Sequence, residues 1–143
     1  MSIITYVIAQ FGYDQQFEDS SSLYRLKTVI EGNDGGNPSA GSSPPIAFAM
    51  KEDFPEVAEV CRLVYFGEGN ESLLRVTNSD KAYYESRGYL ADSTFFKLFD
   101  YPFIEGEREG ALNVPNSIVL SETLAKKLFG KKKALNKTLV LGS

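Results

Sequence analysis

The sequence contains no histidine, no tryptophan and a single cysteine, Cys61. Without histidine there is no imidazole general base, no histidine-containing triad and none of the common zinc sites. One cysteine closes no internal disulfide and builds no thiolate cluster. Cys61 sits in an apolar run and reads as a small buried hydrophobe. Long hydrophobic runs are missing too. The most apolar early stretch, Ile3-Ile4-Thr5-Tyr6-Val7-Ile8-Ala9, is far shorter than the roughly 20 residues that span a bilayer. It makes a poor signal peptide, because no basic residue precedes it and no small-residue cleavage site follows. The chain therefore reads as soluble, or as a soluble piece of a membrane protein in which this segment is the outer end of a helix. Met1-Ser2 and Gly142-Ser143 fit vector-derived ends as well as native ones.

Acidic residues are absent from the end of the chain. Six lysines (Lys126, Lys127, Lys131, Lys132, Lys133 and Lys137) follow residue 125 with no acid among them, whereas 9 bases and 19 acids precede that point. The formal charge is thus −10 before and +6 after, for a net −4. That balance argues against nucleic acid as a partner. The lysines read as the solvated face of a helix and a basic turn, with lipid headgroups or phosphates as the functional alternative. With 143 residues, 43% hydrophobic and 24% charged, the chain has the composition of one globular domain, or of part of a larger one.

Residues 32–45, rich in Gly, Asn, Ser and Pro, read as a loop within the domain. Before it, Leu23–Ile30 has strand composition, with Tyr24, Leu26 and Thr28 on one face. After it, Ser43 is placed to cap a helix opened by Pro44 or Pro45. Ile46, Ala49, Met50 and Phe54 follow helical spacing, and Pro55 ends the run. Val57–Phe66, Glu71–Thr77 and Ala82–Leu90 read as three strands. The turns Gly67–Asn70 and Asn78–Lys81 are too short for crossovers, so an antiparallel meander is expected.

Further on, Asp92 is placed to cap a helix over Thr94–Phe99 that offers Phe95, Phe96 and Phe99 to a core. Ile118-Val119-Leu120 reads as a short strand. Ser121 caps a helix over Glu122–Phe129, with Leu124, Ala125, Leu128 and Phe129 in one stripe, Lys126 and Lys127 outward, and Gly130 as a left-handed terminator. Thr138–Leu141 begins a strand with no partner after it. The expected fold class is α+β: an antiparallel or mixed sheet with two or three short helices, cut short at its C-terminal end.

No chemistry-bearing motif survives inspection. Gly67-Glu68-Gly69 lacks the third glycine and following helix of a dinucleotide site. Gly130-Lys131-Lys132 lacks the rest of a phosphate loop and ends a helix, where the dipole repels anions. Glu105, Glu107 and Glu109 alternate in a Gly-containing loop beside Arg108, which favours ionised, solvated carboxylates over an acid/base pair. Tyr83, Glu85, Arg87 and Tyr89 would share one strand face, with Tyr84 on the other, and read as one core and one solvated face. No catalytic, cofactor-binding or metal-binding residue is therefore assigned.

The order of motifs resembles the extracytoplasmic core domain of ABC-transporter permeases of the MacB/FtsX/LolC type. The matching stretches are Tyr13-Asp14-Gln15-Gln16-Phe17, Leu23-Tyr24-Arg25-Leu26 and Phe54-Pro55-Glu56-Val57. They continue with Ala91-Asp92-Ser93-Thr94-Phe95-Phe96-Lys97-Leu98-Phe99, Phe103-Ile104-Glu105-Gly106, Ala111-Leu112 and Ser117–Gly130. The family commonly has Pro-Ile-Gly-Lys before the last strand, where this chain has Ala134-Leu135-Asn136-Lys137. The resemblance implies a periplasmic or extracytoplasmic location at the bacterial inner membrane. Residues 1–19 would be the end of the first transmembrane helix and a stalk, 20–101 a membrane-proximal α/β lobe, and 102–143 the start of an outer β-rich lobe. It also implies a role in passing the movement of a partner ABC ATPase to a substrate outside the membrane. ATP would bind that partner and not this chain. A second permease copy, an accessory protein and a peptide or lipoprotein substrate are the implied partners, with the membrane reached through transmembrane helices.

Two other classes remain. A stand-alone secreted or surface ligand-binding module would carry a signal peptide and complete its own sheet. A hydrolase using Glu105 or Glu109 would lose activity when both are changed to Gln.

Overall fold

The computed structural model describes residues 20–29, 38–39, 41–66, 71–77, 79 and 82–142. Ile3–Ala9, Tyr13–Phe17, the Gly32–Asn37 part of the loop, the Gly67–Asn70 turn, and all of Asn78–Lys81 except Ser79 lie outside the described residues. The chain divides into two units, Met1–Val60 with Leu98–Asp100, and Cys61–Lys97 with Tyr101–Ser143.

In the first unit a 3-10 turn at Ser20–Ser22 precedes strand β1 (Thr28–Val29), which pairs antiparallel with β2 (Pro38–Ser39). The strand expected over Leu23–Ile30 thus narrows to two residues, and its partner comes from the segment read as loop. Proline has no N–H to donate, which limits a ladder built on Pro38. Helix α1 runs Ile46–Asp53. Pro45 starts it with φ −65° and ψ −22°, already helical, and no side-chain hydrogen bond caps it. The expected Ser43 cap is corrected accordingly: Ser43 contributes its backbone carbonyl, which accepts from Ile46 N at 3.1 Å. Phe54 ends the helix in extended conformation, φ −123° and ψ 102°, as steric conflict with the ring of Pro55 demands. Of the expected apolar face only Met50 is half-buried; Ile46, Ala49 and Phe54 are exposed.

The second unit is built on strands β3 (Leu63–Phe66), β4 (Ser72–Val76), β5 (Ala82–Glu85), β6 (Gly88–Ala91) and β7 (Leu139–Gly142). All pairings are antiparallel: β3 with β6, and β4 with both β5 and β7. The three-strand meander is replaced by a nested arrangement, in which the β4–β5 hairpin lies between the arms of the β3–β6 pair in sequence. Phe66 faces Gly88 and Ser72 faces Glu85, so one arm advances six positions (66 to 72) while the other covers three (88 to 85). This mismatch breaks the expected Ala82–Leu90 strand at Ser86-Arg87, because equal pairing cannot continue across unequal arms.

The last strand is corrected as well. It has a partner, but an earlier one: β7 lies beside β4, with Leu74 opposite Leu141 and Val76 opposite Leu139. Thr77 extends that contact, its N–H and hydroxyl both donating to the Thr138 carbonyl at 3.3 and 3.1 Å. Leu74, on the central strand, is the one buried hydrophobic among the described residues, at 3% exposure.

Two helices complete this part of the chain. Helix α2 is Phe95–Leu98, shorter than expected, and α3 is Glu122–Phe129 as expected. Ser121 Oγ accepts from Leu124 N at 3.3 Å, a side-chain cap of one orphan donor. Leu124, Ala125, Leu128 and Phe129 are half-buried, and Lys126 and Lys127 are exposed. Gly130 has the positive φ expected of it, +64°, but its ψ of −123° departs from a left-handed helical terminator. Ile118–Leu120, expected as a strand, is irregular. Apolar composition does not make a strand where no neighbouring ladder receives its backbone. The result is an α+β fold with antiparallel sheets and short helices. No helix among the described residues is long and apolar enough to cross a membrane.

Candidate functional site

The open end of the β3–β6 pair is closed by Arg62 and Asp92. Asp92 Oδ2 accepts from Arg62 N at 2.9 Å and Nε at 2.8 Å, and Oδ1 accepts from Nη2 at 2.7 Å. Asp92 N returns a bond to the Arg62 carbonyl at 3.2 Å. Asp92 was expected to cap the following helix with its carboxylate; that carboxylate serves this cross-strand clamp, while the Asp92 carbonyl accepts from Phe95 N at 3.0 Å. The fork-like guanidinium matches the planar carboxylate, which makes the pair geometrically specific. The Arg62 hydrogen bonds hold the Asp92 carboxyl below its usual pKa. Beside the clamp, Cys61 donates to the Arg62 carbonyl at 3.6 Å, and partial burial pushes its thiol pKa up. A raised pKa disfavours the thiolate, so Cys61 is poorly suited to nucleophilic work.

Strand alternation gives the β5–β4–β7 sheet two unlike faces. One carries Leu74, Tyr83, Glu85 and Val76, and Lys127 of α3 reaches it. Lys127 forms an ion pair with Glu85, and its Nζ lies 5.5 Å from the centroid of the Tyr83 ring. The opposite face presents Leu73, Tyr84 and Val140, with Tyr84 65% exposed. On the β3–β6 ribbon, Tyr65 and Tyr89 are register partners, ring centroids 5.2 Å apart, and both are exposed. Val64 and Leu90 form the exposed pair on the ribbon's other side. Exposed apolar side chains thus stand on both sides of the ribbon and on one face of the sheet.

The four residues expected on one strand face are separated. Tyr83 and Glu85 do share a face, Arg87 falls in the break between β5 and β6, and Tyr89 stands beside Tyr65. Glu105, Glu107 and Glu109 are all exposed in an irregular segment, with Gly106 and Gly110 at φ +86° and +80°. No group of three potential metal ligands converges among the described residues. Lys127 is exposed as expected, and its ammonium also pairs with Glu85 on the sheet. Nothing local in the sequence signals that contact, because 42 positions separate Lys127 from Glu85. An aromatic cluster flanks α2: Phe96 packs edge-on against Phe95 and Phe103, each at 4.9 Å between centroids, and Phe95 stacks on Tyr101 at 6.0 Å.

Comparison with known proteins yields one family. The model of the MacB-like periplasmic core domain matches residues 1–143. No curated protein and no solved structure matches the chain.

Proposed function

The chain belongs to the MacB-like periplasmic core domain family, and from that premise we propose that it relays motion in an ABC-transporter permease. A cytoplasmic partner ATPase would dimerise on ATP, the transmembrane helices would shift, and this extracytoplasmic domain would move to release or hand over a substrate. The observation that carries the reading is the family match along the whole chain. The structure supports it in kind: the described residues offer clamped strands and exposed apolar faces, which suit transmission of force and contact with other proteins. In this reading residues 1–19 would be the outer end of the first transmembrane helix and a stalk, 20–101 the membrane-proximal α/β lobe and 102–143 the start of the outer β-rich lobe. The last two would share a sheet, since β4 and β7 pair across position 101. The partners would be the ATPase, a second permease copy, and an accessory protein or a peptide or lipoprotein substrate.

The test is to sequence the source DNA on both sides of these codons. Roughly 20 apolar codons before Met1, and further such spans after Ser143, would support the permease reading. A cleavable signal before Met1 and a stop codon after Ser143 would overturn it in favour of a secreted binding module.

A further inference from the structure

The chain passes between its two units three times, at Val60–Cys61, Lys97–Leu98 and Asp100–Tyr101. On the second unit all three passages are rooted in one series of direct contacts. Arg62, next after Cys61, is held by Asp92 through its guanidinium at 2.7 and 2.8 Å and its backbone N–H at 2.9 Å. The Asp92 carbonyl accepts from Phe95 N at 3.0 Å, and Phe95 opens α2, which carries the chain to the second passage. The Phe95 ring in turn stacks on Tyr101, the residue at which the chain returns, with centroids 6.0 Å apart and planes at 7°. Phe96 and Phe103 repeat that bracket edge-on at 4.9 Å. The excursion Leu98–Asp100 is thus pinned at both feet.

The first passage is pinned on its other side as well. Glu59 accepts from Lys51 Nζ of α1 at 2.6 Å, both residues belonging to the first unit. Between this pair and the Arg62–Asp92 clamp stand only Val60 and Cys61, with two soft dihedrals each. A backbone of fixed bond lengths does not stretch, so units joined at scattered points cannot turn without pulling their elements apart. Links rooted at one spot do allow turning, and a few residues at element ends then absorb the change in φ and ψ.

We infer that this junction is a hinge, with Val60 and Cys61 as its bending residues. The Lys51–Glu59 pair and the Arg62–Asp92 clamp are its two mounts, and the Phe95–Tyr101 stack fixes the feet of the returning links. Arg62 and Asp92 are positioning residues in this device: they keep the bending out of β3 and β6, whose ends they close. The inference goes beyond the permease reading and does not rest on it, since it concerns motion within this chain.

The test is double electron–electron resonance between nitroxide labels, in a chain whose native cysteine is removed by Cys61→Ser. E52C on α1 with T123C on α3 places one label in each unit, and R75C on β4 with T123C places both in the second; all three positions are exposed. The distance distribution between units should be at least about twice as broad as the one within the second unit. Val60→Gly frees the backbone at the joint and should broaden the first distribution further, whereas Val57→Gly, on the far side of Glu59, should leave it unchanged. Asp92→Asn should also broaden it, because the bend then spreads into the ribbon; a merely structural clamp would lower the urea midpoint and leave the width alone. Circular dichroism reports whether each variant folds, and the comparison of the two label pairs requires none of these three substitutions. Equal widths for the two pairs overturn the proposal. So do equal effects of the two glycine substitutions, or an unchanged width in folded Asp92→Asn.

Discussion

Replacing Leu74 with alanine probes the core most directly. Leu74 sits on the central strand between Tyr83 of β5 and Leu141 of β7 and is 3% exposed, whereas Leu141, its register partner, is 55% exposed. Leu→Ala removes three carbon centres, each worth about 0.8 kcal/mol of transfer free energy when buried, or about 2.4 kcal/mol. A cavity contribution adds to this, but Tyr83, Val76 and Leu139 are only half-buried and have room to close the gap. The expected cost for Leu74→Ala is therefore about 2.5–3 kcal/mol, at the low end for buried leucines. The same change at Leu141 removes side-chain surface already half in water and should cost about 1 kcal/mol. Urea unfolding followed by circular dichroism and tyrosine fluorescence measures both, eight tyrosines being present and no tryptophan. The slope against urea should stay unchanged while the midpoint falls. Equal costs at the two positions, or a cost below about 1 kcal/mol at Leu74, would refute the assignment of the core to this row.

The Arg62–Asp92 clamp makes stability depend on acid. The Asp92 pKa is lower in the folded chain than in the unfolded one, so its contribution is complete above an unfolded value of about 3.9 and disappears as pH falls through the folded value. Urea midpoints of the wild type and Asp92→Asn should therefore differ at pH 7, begin to converge as pH falls below about 3.9 and meet only below the folded value; a gap independent of pH would show that the carboxylate charge plays no part. At Gly106 and Gly130 both backbones have positive φ, but only at Gly106 would an added methyl meet a neighbour within 4 Å, namely Leu135. Gly130→Ala should cost about 1 kcal/mol from backbone strain alone, and Gly106→Ala more than that. Thermal melts of the two variants distinguish the terms, and an equal loss would mean that Leu135 moves aside freely.

Much of the local structure was legible in the residues themselves. Pro45 and Pro55 bracket α1, and Ser121 and Gly130 bracket α3, because caps and prolines act on backbone groups within a few positions. The half-buried stripe of α3 follows from helical periodicity in the same way. The candidate contact surface was less legible. That Tyr83 and Glu85 share a face came from strand alternation, but that Lys127 of α3 reaches this face while Tyr84 stands exposed on the other did not. Exposure depends on which elements meet, and the residues that meet here are far apart in the chain.

By itself, then, the sequence determined the ends of α1 and α3, the α+β class, the lack of histidine chemistry and the family resemblance that the family match bears out. Tertiary structure decided the pairings. Turn residues reverse the chain without naming the strand that receives it, and a hydrogen-bond ladder accepts any extended backbone that arrives in register. For that reason β3 lies beside β6 instead of β4, and β7 beside β4. The Asp92 carboxylate also reaches Arg62, 30 positions away, because strand pairing places that guanidinium opposite it.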